Sequence, residues 1–182
     1  MPLEYLKETP SQTGGPYVHM GTLPAMAGIA IGYGDNLGRI EAPGERIRVA
    51  GTIADGAGGL LRDGIIELWQ ADAEGRLGAH GLWGRTAPDF STGEWAFETV
   101  RPGPVDGGVP FLSFLMFARG INIHLHTRMY FPEDSARHAD DAALKRIDPL
   151  RRGTLVAAAT GNAGYRFDIR LQGEGETVFF DI

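Results

Sequence analysis

The run INIHLHTRMYF, from Ile121 to Phe131, holds the most chemically suggestive spacing in this 182-residue chain. If it is a strand, side chains alternate between faces, so His124 and His126 stand side by side, with Asn122, Arg128 and Tyr130 in the same row. Two imidazoles at i and i+2 can share a metal, and Tyr130 lies further along that face. Arg128 argues the other way, because a guanidinium that close opposes a cation unless carboxylates offset it. A polar strand face packed against neighbouring elements is the plainer and favoured reading of the same residues. The remaining histidines, His19, His80 and His138, complete no motif. There is no G-x-S-x-G elbow, no Walker loop, no G-x-G-x-x-G after a strand and no H-E-x-x-H. With no cysteine in the sequence, a disulfide framework, a thiolate metal site and a cysteine nucleophile are all excluded.

The elements that must position these residues are short strands. The 27 glycines and 11 prolines place turns at frequent intervals, and 43% hydrophobic with 22% charged residues is ordinary for a globular protein. Ile47, Val49, Gly51 and Ile53 alternate with Arg46, Arg48, Ala50 and Thr52, the period of a strand with one wet face. Further strands are expected at residues 64–69, 94–100, 111–117, 121–131, 154–159, 165–171 and 177–182. About eight short strands imply an all-β fold, an antiparallel β-sandwich. One short helix is expected over His138 to Arg146, capped by Ser135 and ended before Pro149, with Asp140 and Asp141 facing water. The chain reads as a single domain over 1–182, in which residues 1–39 form an extended arm and 40–182 the sandwich. Such an arm needs a surface to lie on, which another chain could supply.

A formal net charge of -6 argues against nucleic acid and anionic membranes as partners. An anionic substrate would have to be drawn by one or two local arginines. The apolar stretches are too short to span a bilayer, and MPLEYLKETPSQ lacks the basic and apolar regions of a signal peptide. The expected location is the cytoplasm.

Several segments together carry a family likeness: ETPSQTGGPYVH from Glu8, IIELWQADAEG from Ile65 and GEWAFETVRPGPV from Gly93. They resemble the intradiol ring-cleaving dioxygenases. FARGINIHLHTRMYF from Phe117 and YRFDIRLQGEGETVFFD from Tyr165 resemble, within that family, the α subunits of the branch that acts on protocatechuate. The fold implied is again an antiparallel β-sandwich. The reaction implied is insertion of both atoms of O2 into protocatechuate between its hydroxylated carbons, giving 3-carboxy-cis,cis-muconate, at a ferric ion.

Catalytic chains of the family take one tyrosine ligand from the stretch after ELWQA, one from a PGPY turn and two histidines from the strand before FARG. Here the tyrosines are Tyr5, Tyr17, Tyr33, Tyr130 and Tyr165, so none lies between Tyr33 and Tyr130. The PGPY position is Val105, and Phe111 and Ser113 stand on the strand before FARG. The resemblance therefore implies no metal ligand and no catalytic residue on this chain. Fe(III) is expected on a homologous β subunit, within a higher-order αβ assembly. It further implies that Thr13, Gly15, Pro16 and Tyr17 of the arm, with Arg119 of FARG, line the partner's substrate pocket. The stretch from Leu77 to Arg85 and the loop from Val105 to Phe111 look shorter than in such α chains. Two alternatives stay beside this reading: a self-sufficient metalloenzyme using His124 and His126, and a sandwich binding module without catalysis.

Overall fold

Alternating apolar residues build two sheets whose inner faces share one core. The structure is a computed structural model that describes residues 10–15, 17–29 and 37–181. Of the expected site residues, Pro16 lies outside the described set. The strands are β1 (Arg46–Ala54), β2 (Ile65–Gln70), β3 (Leu82–Thr86), β4 (Glu94–Val100), β5 (Phe111–Phe117), β6 (Leu125–Tyr130), β7 (Ala158–Gly161), β8 (Gly164–Arg166) and β9 (Ile169–Arg170). One sheet has the order β4-β1-β8-β7, with β9 also pairing β1; the other has the order β3-β2-β5-β6. The second sheet is antiparallel throughout, whereas β8 and β9 run parallel to β1, so the first sheet is mixed.

Inward residues of both sheets meet in an aromatic centre. Phe114 lies 5.4 Å from Trp95 and 5.8 Å from Phe167 between ring centroids, and all three are buried. Ile66, Leu68, Leu112, Met116 and Met129 surround them. The outer face of the second sheet then carries the complementary set: Ile65, Glu67 and Trp69 on β2, Phe111, Ser113 and Phe117 on β5, and His126, Arg128 and Tyr130 on β6. That outer face holds the candidate sites.

Several local expectations need correction. The strand expected from Ile121 begins only at Leu125, because β5 has ended at Phe117 and offers no further partner; His124 precedes the strand and is exposed. The expected strand at 154–159 starts as a 3-10 turn, Arg152–Leu155, in which the Thr154 hydroxyl donates to Arg151 O at 2.8 Å. The last expected strand makes a bridge between Phe180 and His126 in place of a ladder, and its final residue, Ile182, lies outside the described residues.

The expected helix is a single turn, α2 (Ala142–Lys145), preceded by 3-10 turns over Pro132–Asp140. Its cap is Asp141, not Ser135: the Asp141 carboxylate accepts from Ala143 N and Leu144 N and also from the Tyr130 hydroxyl at 3.0 Å. Asp141 is thus a structural acceptor and does not simply face water. Within the arm, Val18–Thr22 forms a short helix, α1, followed by a 3-10 turn at Pro24–Ala27, so the arm is not extended throughout. It lies on its own domain, where Leu23 packs with Ile65 and Ala87. Among the described residues, no helix is long and apolar enough to cross a membrane.

Candidate functional site

One end of the outer face is closed by the arm. β5 runs into a tight turn in which Ile121 N–H donates to Ala118 O at 3.2 Å and Gly120 takes φ of 80°, a conformation that suits glycine. Arg119 therefore projects at the corner of this turn. The Thr13 hydroxyl accepts from Gly120 N–H at 2.7 Å and donates to Ala118 O at 3.3 Å, which staples the arm to the FARG segment across 105 residues of sequence. The next arm turn closes when Val18 N–H donates to Gly15 O at 3.2 Å.

Beneath the arm, a buried charge pair fixes the face on which it rests. Glu67 is 8% exposed, accepts from Arg85 Nε at 2.9 Å and from Trp69 Nε1 at 3.0 Å, and so is paired and hydrogen-bonded as a buried carboxylate requires. The same Arg85 donates to Thr22 O, at the end of α1, at 3.1 Å. The arm's position is therefore tied to the sheet by a cation as well as by Leu23.

A cavity of about 250 Å³ results, lined among others by Gly14, Gly15, His19, Phe90, Phe117 and Arg119. Of the expected site residues, Thr13, Gly15 and Arg119 come together here. Tyr17 does not line the cavity and is 73% exposed. Sequence reasoning missed Asp63, which forms an ion pair with Arg119. The pair follows from strand register: Ile65 faces Phe117, and two residues beyond each strand end Asp63 faces Arg119. Phe90 and His19, with rings 6.5 Å apart, were also missed.

The other end of the outer face is a cleft of about 400 Å³. Val105, Phe111 and Ser113, the positions at which the resemblance expects ligands in catalytic chains, all line it, together with Leu77 and Leu82 from the stretch after ELWQA. His126 lines it too. It sits on the strand beside Ser113 but on the same face, and its Nε2 lies 2.6 Å from Ser113 Oγ. Arg128 lies over the Phe111 ring at 4.1 Å and the Phe180 ring at 5.3 Å. His124 does not join them; its ring lies tilted beside Phe117, 5.7 Å between centroids.

This donor set does not fit a ferric ion, which requires anionic oxygen ligands with imidazole. Burial, with the charges of Arg128 and His124, pushes the His126 imidazolium down to about 4, so the cleft offers one neutral imidazole already engaged by Ser113. Tyr130 donates to Asp141, and burial pushes its phenol up to about 12. The Tyr165 phenol is also raised by burial. Neither is poised to be a phenolate near neutral pH. The His124/His126/Tyr130 metal reading gains no geometry: one is exposed outside the strand, one faces Ser113 and one is bonded to Asp141. Among the described residues, no three His, Cys, Asp or Glu side chains come close enough to hold a metal.

The low pKa of His126 has a measurable consequence. Its folded value lies below the unfolded value of about 6.5, so its neutral form contributes stability above that pH, and the contribution is lost as pH falls towards about 4. The loss is on the order of 2–3 kcal/mol. Urea midpoints measured near pH 7 and near pH 4.5 should fall less in His126→Gln than in the parent chain. Equal falls in both would assign the acid sensitivity to other groups.

No family model matches the chain. It is 48% identical over 200 aligned positions to the protocatechuate 3,4-dioxygenase alpha chain of Pseudomonas putida, covering all of both chains. To the alpha chain of Burkholderia cepacia it is 35% identical, over 97% of this chain and 98% of that one. The beta chain of Burkholderia cepacia is 32% identical over 75% of this chain and 68% of its own length. Among solved structures, the dioxygenase domain of a carbohydrate-binding fusion from Streptomyces sp. SirexAA-E matches with TM-score 0.59 at 23% identity, over 75% of this chain and 82% of that one. Catechol 1,2-dioxygenase from Pseudomonas arvilla C-1 matches with TM-score 0.55 at 22% identity, over 74% and 55% respectively. Both structures share the sandwich fold.

Proposed function

Because this chain belongs to the intradiol ring-cleaving dioxygenases, in the branch of the protocatechuate 3,4-dioxygenase α chains, we propose that it serves as the non-metal subunit of such an enzyme. With a homologous β chain it takes part in cleaving protocatechuate by O2 to 3-carboxy-cis,cis-muconate, a step in the catabolism of aromatic compounds. The ferric ion sits on the β chain and supplies the centre at which the catechol and O2 react.

The observation that carries this reading is the split of the outer face into two ends. At one end, Val105, Phe111 and Ser113, where the resemblance expects the ligands of catalytic chains, line a cleft whose one imidazole, His126, is engaged by Ser113. At the other, the arm turn and Arg119 are held together at an open pocket. Thr13, Gly15, Pro16, Tyr17 and Arg119 then act by shaping and charging a wall of the partner's substrate site. Glycine lets backbone approach a flat ring, and Arg119 supplies the local positive charge that a chain of net charge -6 otherwise lacks. Tyr17 and Met20 on the arm and Phe90 at the pocket, 73%, 50% and 60% exposed, are apolar side chains left for burial against the β chain. In this reading residues 1–182 form one domain, work in the cytoplasm and join a higher-order αβ assembly.

Purified without β, the chain should carry no iron and show none of the visible absorption of tyrosinate bound to ferric ion. Co-expressed with a β chain, it should form a stable, coloured, iron-loaded and active complex. An iron-loaded active single chain, or failure to associate with β, would sink the proposal.

A further inference from the structure

We propose that the surface around α2 docks on a second copy of this chain, the exposed Leu150 of each copy entering a hollow beside Asp106 and Asp140 of the other. The knob stands on a local reversal of charge. Residues 145–152 carry four cations, Lys145, Arg146, Arg151 and Arg152, against one anion, Asp148, in a chain of net charge -6. Among them Leu150 is 92% exposed, so its apolar surface gains from leaving water. The turn that presents it is firmly built. Leu144 and Leu155 on either side are buried with Tyr130 and Val109, Arg152 Nε donates to Ile147 O at 3.0 Å, and Leu150 N–H donates to the Asp148 carboxylate at 2.9 Å. Leu150 is therefore held out in water by ordered structure.

The hollow lies at the other end of α2. It has a volume of about 360 Å³, room for a leucine side chain, and Gly107, Gly108, Val109 and Ala142 line it together with Asp106 and Asp140. Arg137, also in its lining, donates to the carbonyls of Gly107 and Gly108 at 2.8 and 2.7 Å. The Asp141 carboxylate caps α2, which leaves the exposed Asp106 and Asp140 to meet a cation. Because Leu144 faces the core, α2 turns Lys145 and Arg146 outward. Among the described residues none of these four charges is ion-paired, whereas Arg151 already holds Glu176 at 3.2 Å. The patch is thus basic with a knob at one end and acidic with a hollow at the other. Two such patches match when one is turned over on the other about a twofold axis, which uses the knob, the hollow and the charge pairing twice. Nucleic acid or an anionic membrane would meet the two carboxylates as well as the cations, which favours a protein surface carrying both signs. The hollow shares no lining residue with the pocket under the arm, so this contact is separate from the wall offered to the β chain.

Sedimentation velocity of the full chain is expected to show a reversible dimer with a Kd of about 10 μM, in keeping with a small contact, that weakens as ionic strength rises. Leu150→Ser, Lys145→Glu and Asp140→Lys should each weaken it by about tenfold while circular dichroism stays that of the parent chain. Mixing Lys145→Glu with Asp140→Lys tests the pairing itself. Each variant is repelled by its own copy, but the mixture restores opposite charges at both ends and should dimerise as tightly as the parent. In the α/β enzyme, Leu150→Ser should leave β pairing and iron content at the parent level, so failure of this contact and failure of the subunit reading are told apart. A chain that stays monomeric up to about 200 μM, variants that dimerise like the parent, or a mixture that does not recover overturns the proposal. Loss of β pairing in Leu150→Ser would assign this surface to the β chain and overturns it as well.

Discussion

Replacing Arg119 by alanine in the assembled α/β enzyme is expected to raise the KM for protocatechuate by about 10- to 100-fold while iron content stays at the parent level. Arg119 stands at the corner of the turn stapled by Thr13, and its side chain is 72% exposed, so it can reach a ligand outside this chain. In the chain by itself the guanidinium is occupied by Asp63. An anionic substrate must therefore compete with that carboxylate. Asp63→Asn should accordingly lower KM by a few-fold at most, as expected for an exposed ion pair. Raising ionic strength should weaken substrate binding in the parent enzyme more than in Arg119→Ala, because the screened attraction is already missing there. KM and iron content measured together decide the matter. An unchanged KM would remove Arg119 from the pocket wall, and loss of iron would make it an assembly residue.

The strands most legible in the sequence were those whose side-chain period is enforced by burial on one face. Residues 94–100 and 111–117 are read to the residue because Trp95, Phe97, Leu112, Phe114 and Met116 must all face one core. Where local hydrogen bonds or a missing neighbour decide, the same period misleads. Residues 121–124 alternate properly yet have no partner strand beyond Phe117. β3 went unread because Leu82–Thr86 is short, contains Gly84 and owes its pairing to β2. Asp141 displaced Ser135 as helix cap through its bond to Tyr130, a residue whose approach no local pattern announces.

The site was legible in its parts but not in its pairings. Val105, Phe111 and Ser113 were identified separately by resemblance, and they line one cleft. Thr13 and Arg119 were likewise identified separately, and hydrogen bonds from Thr13 to Ala118 and Gly120 bring them together. What escaped were contacts that depend on register between distant strands. Ser113 reaches His126 only because β5 and β6 pair Ser113 with Arg128, which sets His126 diagonally across the same face. The same dependence hides the Asp63 and Arg119 pair. Composition limits the number of charges, but register decides which of them meet.

Gly51→Ala is expected to cost about 3 kcal/mol or more, the upper range for forcing atoms into a filled core. A side-chain carbon at this position would lie 1.9 Å from the Phe167 carbonyl oxygen and 2.9 Å from the Trp95 ring. The reason is the path of the last strands. β8 follows β1 up to the pair of Arg166 with Ala50, and β9 resumes at the pair of Ile169 with Ile53. Between them Phe167 N–H donates to Ala50 O at 2.8 Å and Asp168 accepts from Thr52 N–H at 2.8 Å, so the chain folds directly over Gly51. This crossing is why the expected strand at 165–171 is split in two. Moving the Phe167 backbone to admit a methyl group would also pull its ring off Phe114, so the clash cannot be relieved without opening the aromatic centre. Alanine normally suits a strand better than glycine, so intrinsic preference predicts the opposite sign. Urea unfolding of Gly51→Ala beside Gly153→Ala, where nothing lies within 4 Å of the added carbon, separates the two effects. The second variant should stay within about 0.5 kcal/mol of the parent chain. A loss at Gly51 no larger than that would mean the crossing can shift aside and is not what holds the first sheet closed.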